Sequence, residues 1–122
     1  MILLDSNIVI GVFNDDVALV KWIARCRHNG ETFAISTITI TEALALPTMG
    51  ANEIHQMIQW LPQVSIIDVD KLIALEAAVI RRTYKLTTTD AIVAATGILS
   101  NARIATRDKA FKKLKHAHVI VP

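Results

Sequence analysis

The chain has 122 residues, of which 52% are hydrophobic and 20% charged, enough apolar material for one compact core and too much for a disordered chain. Thirteen Lys and Arg against eleven Asp and Glu leave a net charge of +2. The longest apolar runs are far too short to span a bilayer, and no basic region precedes the run Met1 to Leu4, so a cytoplasmic protein without a membrane segment is expected. Cys26 stands alone, which excludes an internal disulfide, and its place in an apolar helical pattern reads as a buried, inert thiol.

Met1 to Asp5, MILLD, is a continuous apolar run ending on an acid, as expected of a central parallel strand buried on both faces. Ser6 and Asn7 then start a short helix. Asp15 and Asp16 offer caps for the next helix, whose expected inward face is Val17, Val20, Ile23 and Ala24, with Trp22 as packing and Gly30 as its stop. Phe33 to Ser36 reads as a second strand. In the following STITITEALALP, local propensity argues for strand through Thr41, whereas a Ser36 or Thr37 cap and the spacing of Ile38, Thr41 or Glu42, and Ala45 before Pro47 argue for a helix. The helix is favoured.

Ala51 to Leu61 is a helical pattern, with Ile54, Met57, Ile58 and Leu61 apolar and Pro62 at its end. Within it, His55 is expected at the surface and Trp60 in the core. Val64 to Val69 is a strand, and Asp70 caps an amphipathic helix to about Lys85 through Ile73, Ala77, Ile80 and Tyr84. Three threonines precede Asp90 as possible caps for a small, apolar helix, Ala91 to Leu99, which Asn101 closes. Arg103 to Thr106 is a strand, Lys109 to Leu114 a short basic helix and His118 to Val121 a last strand. Strands separated by helices require crossovers, which predicts a single α/β domain over residues 1–122, three-layer α/β/α with a central parallel sheet of about five strands.

In such a sheet the ends of the first and fourth strands bring Asp5 and Asp108 together, and helices starting beside them add Glu42 and Asp90. Two ionised carboxylates about 5 Å apart repel by roughly 3 kcal/mol at an effective dielectric of about 20. Protons or cations must offset this. Oxygen-only ligands suit hard ions such as Mg²⁺ or Mn²⁺, and no His or Cys spacing suggests zinc, since His28, His55, His116 and His118 lie in unrelated settings. Taken singly, Asp5 and Asp108 are ordinary strand-end acids, Glu42 a surface acid, and Asp90 an acid favoured by a helix dipole. From Arg103 onward Arg107, Lys109, Lys112, Lys113 and Lys115 make the carboxyl end basic. This suits a polyanion if it flanks a catalytic site, although a lysine cluster alone is more often a solvated face.

LLDSN, TITEAL, DAIVAATGI and TRDKAF, in this order and at these separations, resemble the PIN-domain family, especially the single-domain VapC-type toxins of toxin-antitoxin pairs. Ser6 departs from the Thr common there but keeps the hydroxyl, and the segment from Glu42 to Asp68 is short. The resemblance spans nearly the whole chain. It implies that Asp5, Glu42, Asp90 and Asp108 are the catalytic and metal-binding acids, oriented by Asn7 and Thr106. It also implies an endoribonuclease dependent on Mg²⁺ or Mn²⁺, with two ions acting on an RNA phosphodiester. Arg107, Lys109, Lys112 and Lys113 are then candidate RNA contacts, a cognate antitoxin is the expected partner, and a homodimer the expected assembly. Two rival readings are a receiver-like signalling domain with Asp68 as phosphoacceptor and a PIN domain that binds RNA without cleaving it.

Overall fold

The computed structural model describes residues 1–122. Strands β1 (Ile2–Leu4), β2 (Phe33–Ser36), β3 (Ser65–Ile67), β4 (Arg103–Ala105) and β5 (Val119–Ile120) form one sheet in the order β3-β2-β1-β4-β5. Every pairing is parallel, with Leu3 opposite Ala34 on one side and opposite Ile104 on the other. Helices α1 (Ser6–Phe13), α2 (Val17–His28), α3 (Thr37–Leu44), α4 (Ala51–Trp60), α5 (Lys71–Tyr84) and α6 (Thr88–Leu99) supply the crossovers. The expected three-layer α/β/α architecture is therefore present.

Alternation along the strands divides the core in two. Ile2, Leu4, Phe33, Ile35 and Ala105 pack with Ile8, Val9, Leu19 and Met57 beneath α1, α2 and α4. Leu3, Ala34 and Ile104 face the other way, onto Ile73, Ala77, Ile80, Val93, Ala94 and Phe111. The run MILLD carries no polar alternation because β1 lies between these two cores. A Cβ at Gly97 would collide with the Ile104 side chain, so this glycine lets α6 lie close on β4.

The ambiguous TITITEAL is helical: Ser36 Oγ accepts from the Ile38 N–H and starts α3. A side-chain cap fixes the chain direction there more firmly than β-branched propensity does. Asp70 caps α5 as expected. Gly30, with φ of 81°, and Asn101, with φ of 51°, terminate α2 and α6 in left-handed geometry.

Several expectations are corrected. The inward face of α2 is Leu19, with Trp22, Ile23 and Cys26 packed beside it, while Val17 is 63% exposed and Val20 and Ala24 are also exposed. The Asp16 cap and the opening left by Gly11, where any Cβ would strike Leu19, set this phase. Cys26 is half-buried rather than buried, and desolvation followed by the Glu31 charge raises its thiol pKa. On α4 Ile58 faces solvent, and Trp60 is half-buried, edge-on to Phe13 at 5.4 Å. Helix α6 begins before Asp90, and the basic segment Lys109–Lys113 is a 3₁₀ helix. The strands at the two sheet edges are shorter than expected.

Ala94 is fully buried between α6 and the sheet, whereas Leu99 on the same helix is exposed. Ala94→Asp should therefore lower the unfolding free energy by about 4 kcal/mol or more, and Leu99→Lys, which puts a cation in the last turn of α6, by less than about 1 kcal/mol, in urea titrations of the two proteins. Equal stabilities would contradict this packing.

Candidate active site

The chain passes from β1 to β2 and β3 on one side of the sheet and returns to β4 and β5 on the other. Neighbouring crossovers diverge at such a reversal, leaving a crevice at the carboxyl ends of the strands. Asp5 follows β1 there, and Thr106, Arg107 and Asp108 follow β4. The reversal explains why Asp5 and Thr106, 101 positions apart, meet at one end of the sheet.

Asp5 is 2% exposed. One carboxylate oxygen accepts from the Ser6 N–H at 2.8 Å, which also caps α1. The other accepts from Thr106 Oγ1 at 2.7 Å and Asn7 Nδ2 at 3.1 Å. The Thr106 hydroxyl donates its single proton to Asp5 and accepts from Asn7 Nδ2 at 3.1 Å and from the Asp108 N–H at 3.0 Å. That leaves its oxygen fully engaged. Asn7 Oδ1 accepts from the Arg107 N–H at 3.1 Å, so only one orientation of this amide satisfies all its neighbours. Asn7 and Thr106, expected to orient the acids, are the two side chains that tie β1 to the segment after β4.

Two of the other acids enter from helix starts, and Glu42 from the C-terminal half of α3. Thr87 Oγ1 accepts from the Asp90 N–H, which places Asp90 in the first turn of α6. Asp108 caps the 3₁₀ helix by accepting from the Ala110 N–H at 2.9 Å. Glu42 comes from α3, its carboxylate near the Ser6 and Thr89 hydroxyls. Thr87 and Thr89 had no separate assignment in the sequence, because three consecutive threonines offer equivalent caps.

The electrostatics show that the acids sense one another. Burial raises the Asp5 carboxyl pKa and the Asp108 charge raises it further, against the hydrogen bonds from Thr106, Ser6 and Asn7. Burial, then the Asp5 charge, raises Glu42. Asp90 is pushed up to about 6, first by burial and then by the charge of Asp108, whose carboxyl is within hydrogen-bonding reach. Nearby negative charge disfavours ionisation of each.

Fully oxygen donors in a partly desolvated, mutually repelling set have the chemistry that a hard divalent cation satisfies. As the side chains stand, no three of the His, Cys, Asp and Glu residues converge into a ready-made cage for one ion. The donor chemistry fits; its closure around an ion would require side-chain movement.

The basic residues divide. The Arg107 guanidinium lies on Asp16, Nη1 to Oδ2 at 2.7 Å, whereas Lys109, Lys112 and Lys113 are exposed and form no ion pair. Asp16 also caps α2 through the Leu19 N–H. Asp68 is exposed beyond the edge strand β3, two strands from β1, and takes no part in the acidic pocket.

Comparisons place this architecture among known proteins. The structure superposes on a toxin-antitoxin complex from Klebsiella pneumoniae with a TM-score of 0.84 and 26% identity, covering 99% of this chain and 97% of the other. VapBC2 from Rickettsia felis, bound to a promoter DNA fragment, gives 0.82 and 21%, covering 98% of each chain. FitAcB from Neisseria gonorrhoeae gives 0.77 and 22%, covering 99% and 97%. No curated protein sequence matches significantly. The family model for the PIN domain matches residues 2–117, and the chain belongs to the PIN domain family.

Proposed function

We propose that this protein is a cytoplasmic endoribonuclease that uses Mg²⁺ or Mn²⁺, the toxin of a toxin-antitoxin pair. The observation that carries the proposal is the Asp5–Thr106–Asn7 network with three raised carboxyl pKa values around it. The toxin reading is supported by the toxin-antitoxin complexes that share the fold, and a cognate antitoxin is the corresponding partner. No helix is long and apolar enough to cross a membrane.

Asp5, Glu42, Asp90 and Asp108 would hold the cations. Bound Mg²⁺ or Mn²⁺ supplies charge stabilisation on phosphodiester oxygens and a lower pKa for an attacking water. Thr106 and Asn7 aim the buried Asp5 carboxylate and favour its ionised form by hydrogen bonding. Protonation of Asp90, whose carboxyl is pushed up to about 6, opposes cation binding at acid pH. Lys109, Lys112 and Lys113 lie next to Asp108 in sequence and provide a solvated cationic approach for single-stranded RNA. A PIN domain that binds RNA without cutting it is the competing outcome of the test below.

Helix α5 supports a homodimer. Leu72, Leu75 and Val79 are exposed on one face, with Asp68 and Asp70 at its beginning and Arg81 and Arg82 in its last turn. Neither arginine has an ion-pair partner. An antiparallel two-fold arrangement sets the acidic end of one helix against the basic end of its copy, around the apolar residues.

Cleavage of total RNA in Mn²⁺ or Mg²⁺ should be abolished by excess EDTA and fall more than roughly 100-fold in Asp90→Asn, as expected for loss of a metal ligand. Wild-type binding without any cleavage would favour the silent PIN domain. A folded carboxyl titrating near pH 6, against the ordinary aspartate value of 3.8, means that the folded chain retains a proton that the unfolded chain has released. Metal-free stability therefore falls as pH rises through this window. Asp90 is only half-buried, so the effect is screened to roughly 1 kcal/mol. In EDTA at pH 7.5, Asp90→Asn should raise Tm by about 3–5 °C, and at pH 4 it should leave Tm unchanged. Mn²⁺ affinity of the wild type should weaken below about pH 6 by the same titration. Light scattering after size exclusion should give a dimer for the wild type and a monomer for Leu75→Glu; a dimeric Leu75→Glu would place the interface elsewhere.

A further inference from the structure

An acidic pocket repels the anion it must receive, so the position of the nearest cation matters. Arg107 stands between Thr106 and Asp108, and its backbone N–H is fixed on Asn7 Oδ1. Its side chain therefore extends from an anchored backbone. Its guanidinium rests on Asp16 Oδ2, and both partners keep about a third or more of their side-chain surface in water, 39% and 32%. Pairs this exposed are weakly held.

Asp16 does not depend on the arginine. Its other oxygen accepts from the Leu19 N–H and caps α2, so departure of the guanidinium leaves no orphaned carboxylate. A phosphate, by contrast, offers the guanidinium planar, two-point contact at higher charge density. The contact spans 91 positions in the chain, joining the turn before α2 to the pocket's edge.

We propose that Arg107 is a phosphate-binding residue held in reserve by Asp16: its guanidinium rests on Asp16 in the free protein and passes to an RNA phosphate when a strand enters the acidic pocket. Asp16 thus lowers RNA affinity by competing for the arginine. Lys109, Lys112 and Lys113 have no such competitor. The inference rests on the ribonuclease reading.

The test is equilibrium binding of a labelled single-stranded oligoribonucleotide in Ca²⁺, with probe integrity followed on a gel, to wild type, Asp16→Asn, Arg107→Gln and the double variant. Asn is as good a helix cap as Asp, so Asp16→Asn should keep its Tm and bind about 2- to 5-fold more tightly, the range released by a weak exposed pair. Arg107→Gln should bind more weakly and reduce the salt slope by about 0.7, the value for one phosphate contact on a single strand. In the Arg107→Gln background Asp16→Asn should change nothing. A gain that persists in that background overturns the proposal, since Asp16 would then act as a general negative charge. Lower Tm together with weaker binding in both single variants also overturns it, making the pair a structural strut. A wild type that binds RNA but an Asp16→Asn protein that binds no better defeats this inference alone; a wild type that binds no RNA defeats the ribonuclease reading as well.

Discussion

The hydrogen bond from Thr106 to Asp5 is the contact on which the pocket depends. It joins the end of the first strand to the end of the fourth, and its oxygen simultaneously receives Asn7 and the Asp108 backbone. Burial opposes ionisation of Asp5, and these donors oppose burial. Without them, burial would shift this carboxyl further toward its protonated form, which attracts a cation less. The strand reversal creates the crevice, but the hydroxyl and the amide keep an acid usable inside it.

The same arrangement couples capping to chemistry. Asp5 and Asp108 cap the elements that follow them, Thr87 positions Asp90 through its backbone, and Ser36 starts the helix that carries Glu42. Asp5, Asp90 and Asp108 are therefore placed at the start of a helix, where backbone N–H groups stabilise negative charge, whereas Glu42 lies in the C-terminal half of α3. Since each acid rides on a different element, the spacing among them follows from how α1, α3, α6 and the 3₁₀ helix sit on the sheet.

Much of this was legible in the sequence for physical reasons. MILLD has no polar alternation because both faces of β1 are covered, and DAIVAATGI is small and apolar because α6 lies against Ile104 and the sheet. The ordered acids, with Asn7 and Thr106 beside them, then fell at element ends. What was not legible depended on phase or distance. Val17 and Val20 are apolar yet exposed, so composition misassigned the inner face that Gly11 and Asp16 set. The three threonines gave no preference for which caps α6. Nothing local in either segment connects Arg107 with Asp16, because side chains so distant in sequence meet only through the fold.

The separation between Asp5 and Thr106 also has a meaning during synthesis. Thr106 is added 101 residues after Asp5, the first acid of the pocket. Until β4 emerges, β1 has a neighbour on only one side and Asp5 lacks the hydroxyl that supports it. Long-range contacts of this kind form late because the intervening chain must first be ordered. Nascent and truncated chains lacking this segment carry Asp5, Glu42 and, when long enough, Asp90, yet none contains the assembled pocket.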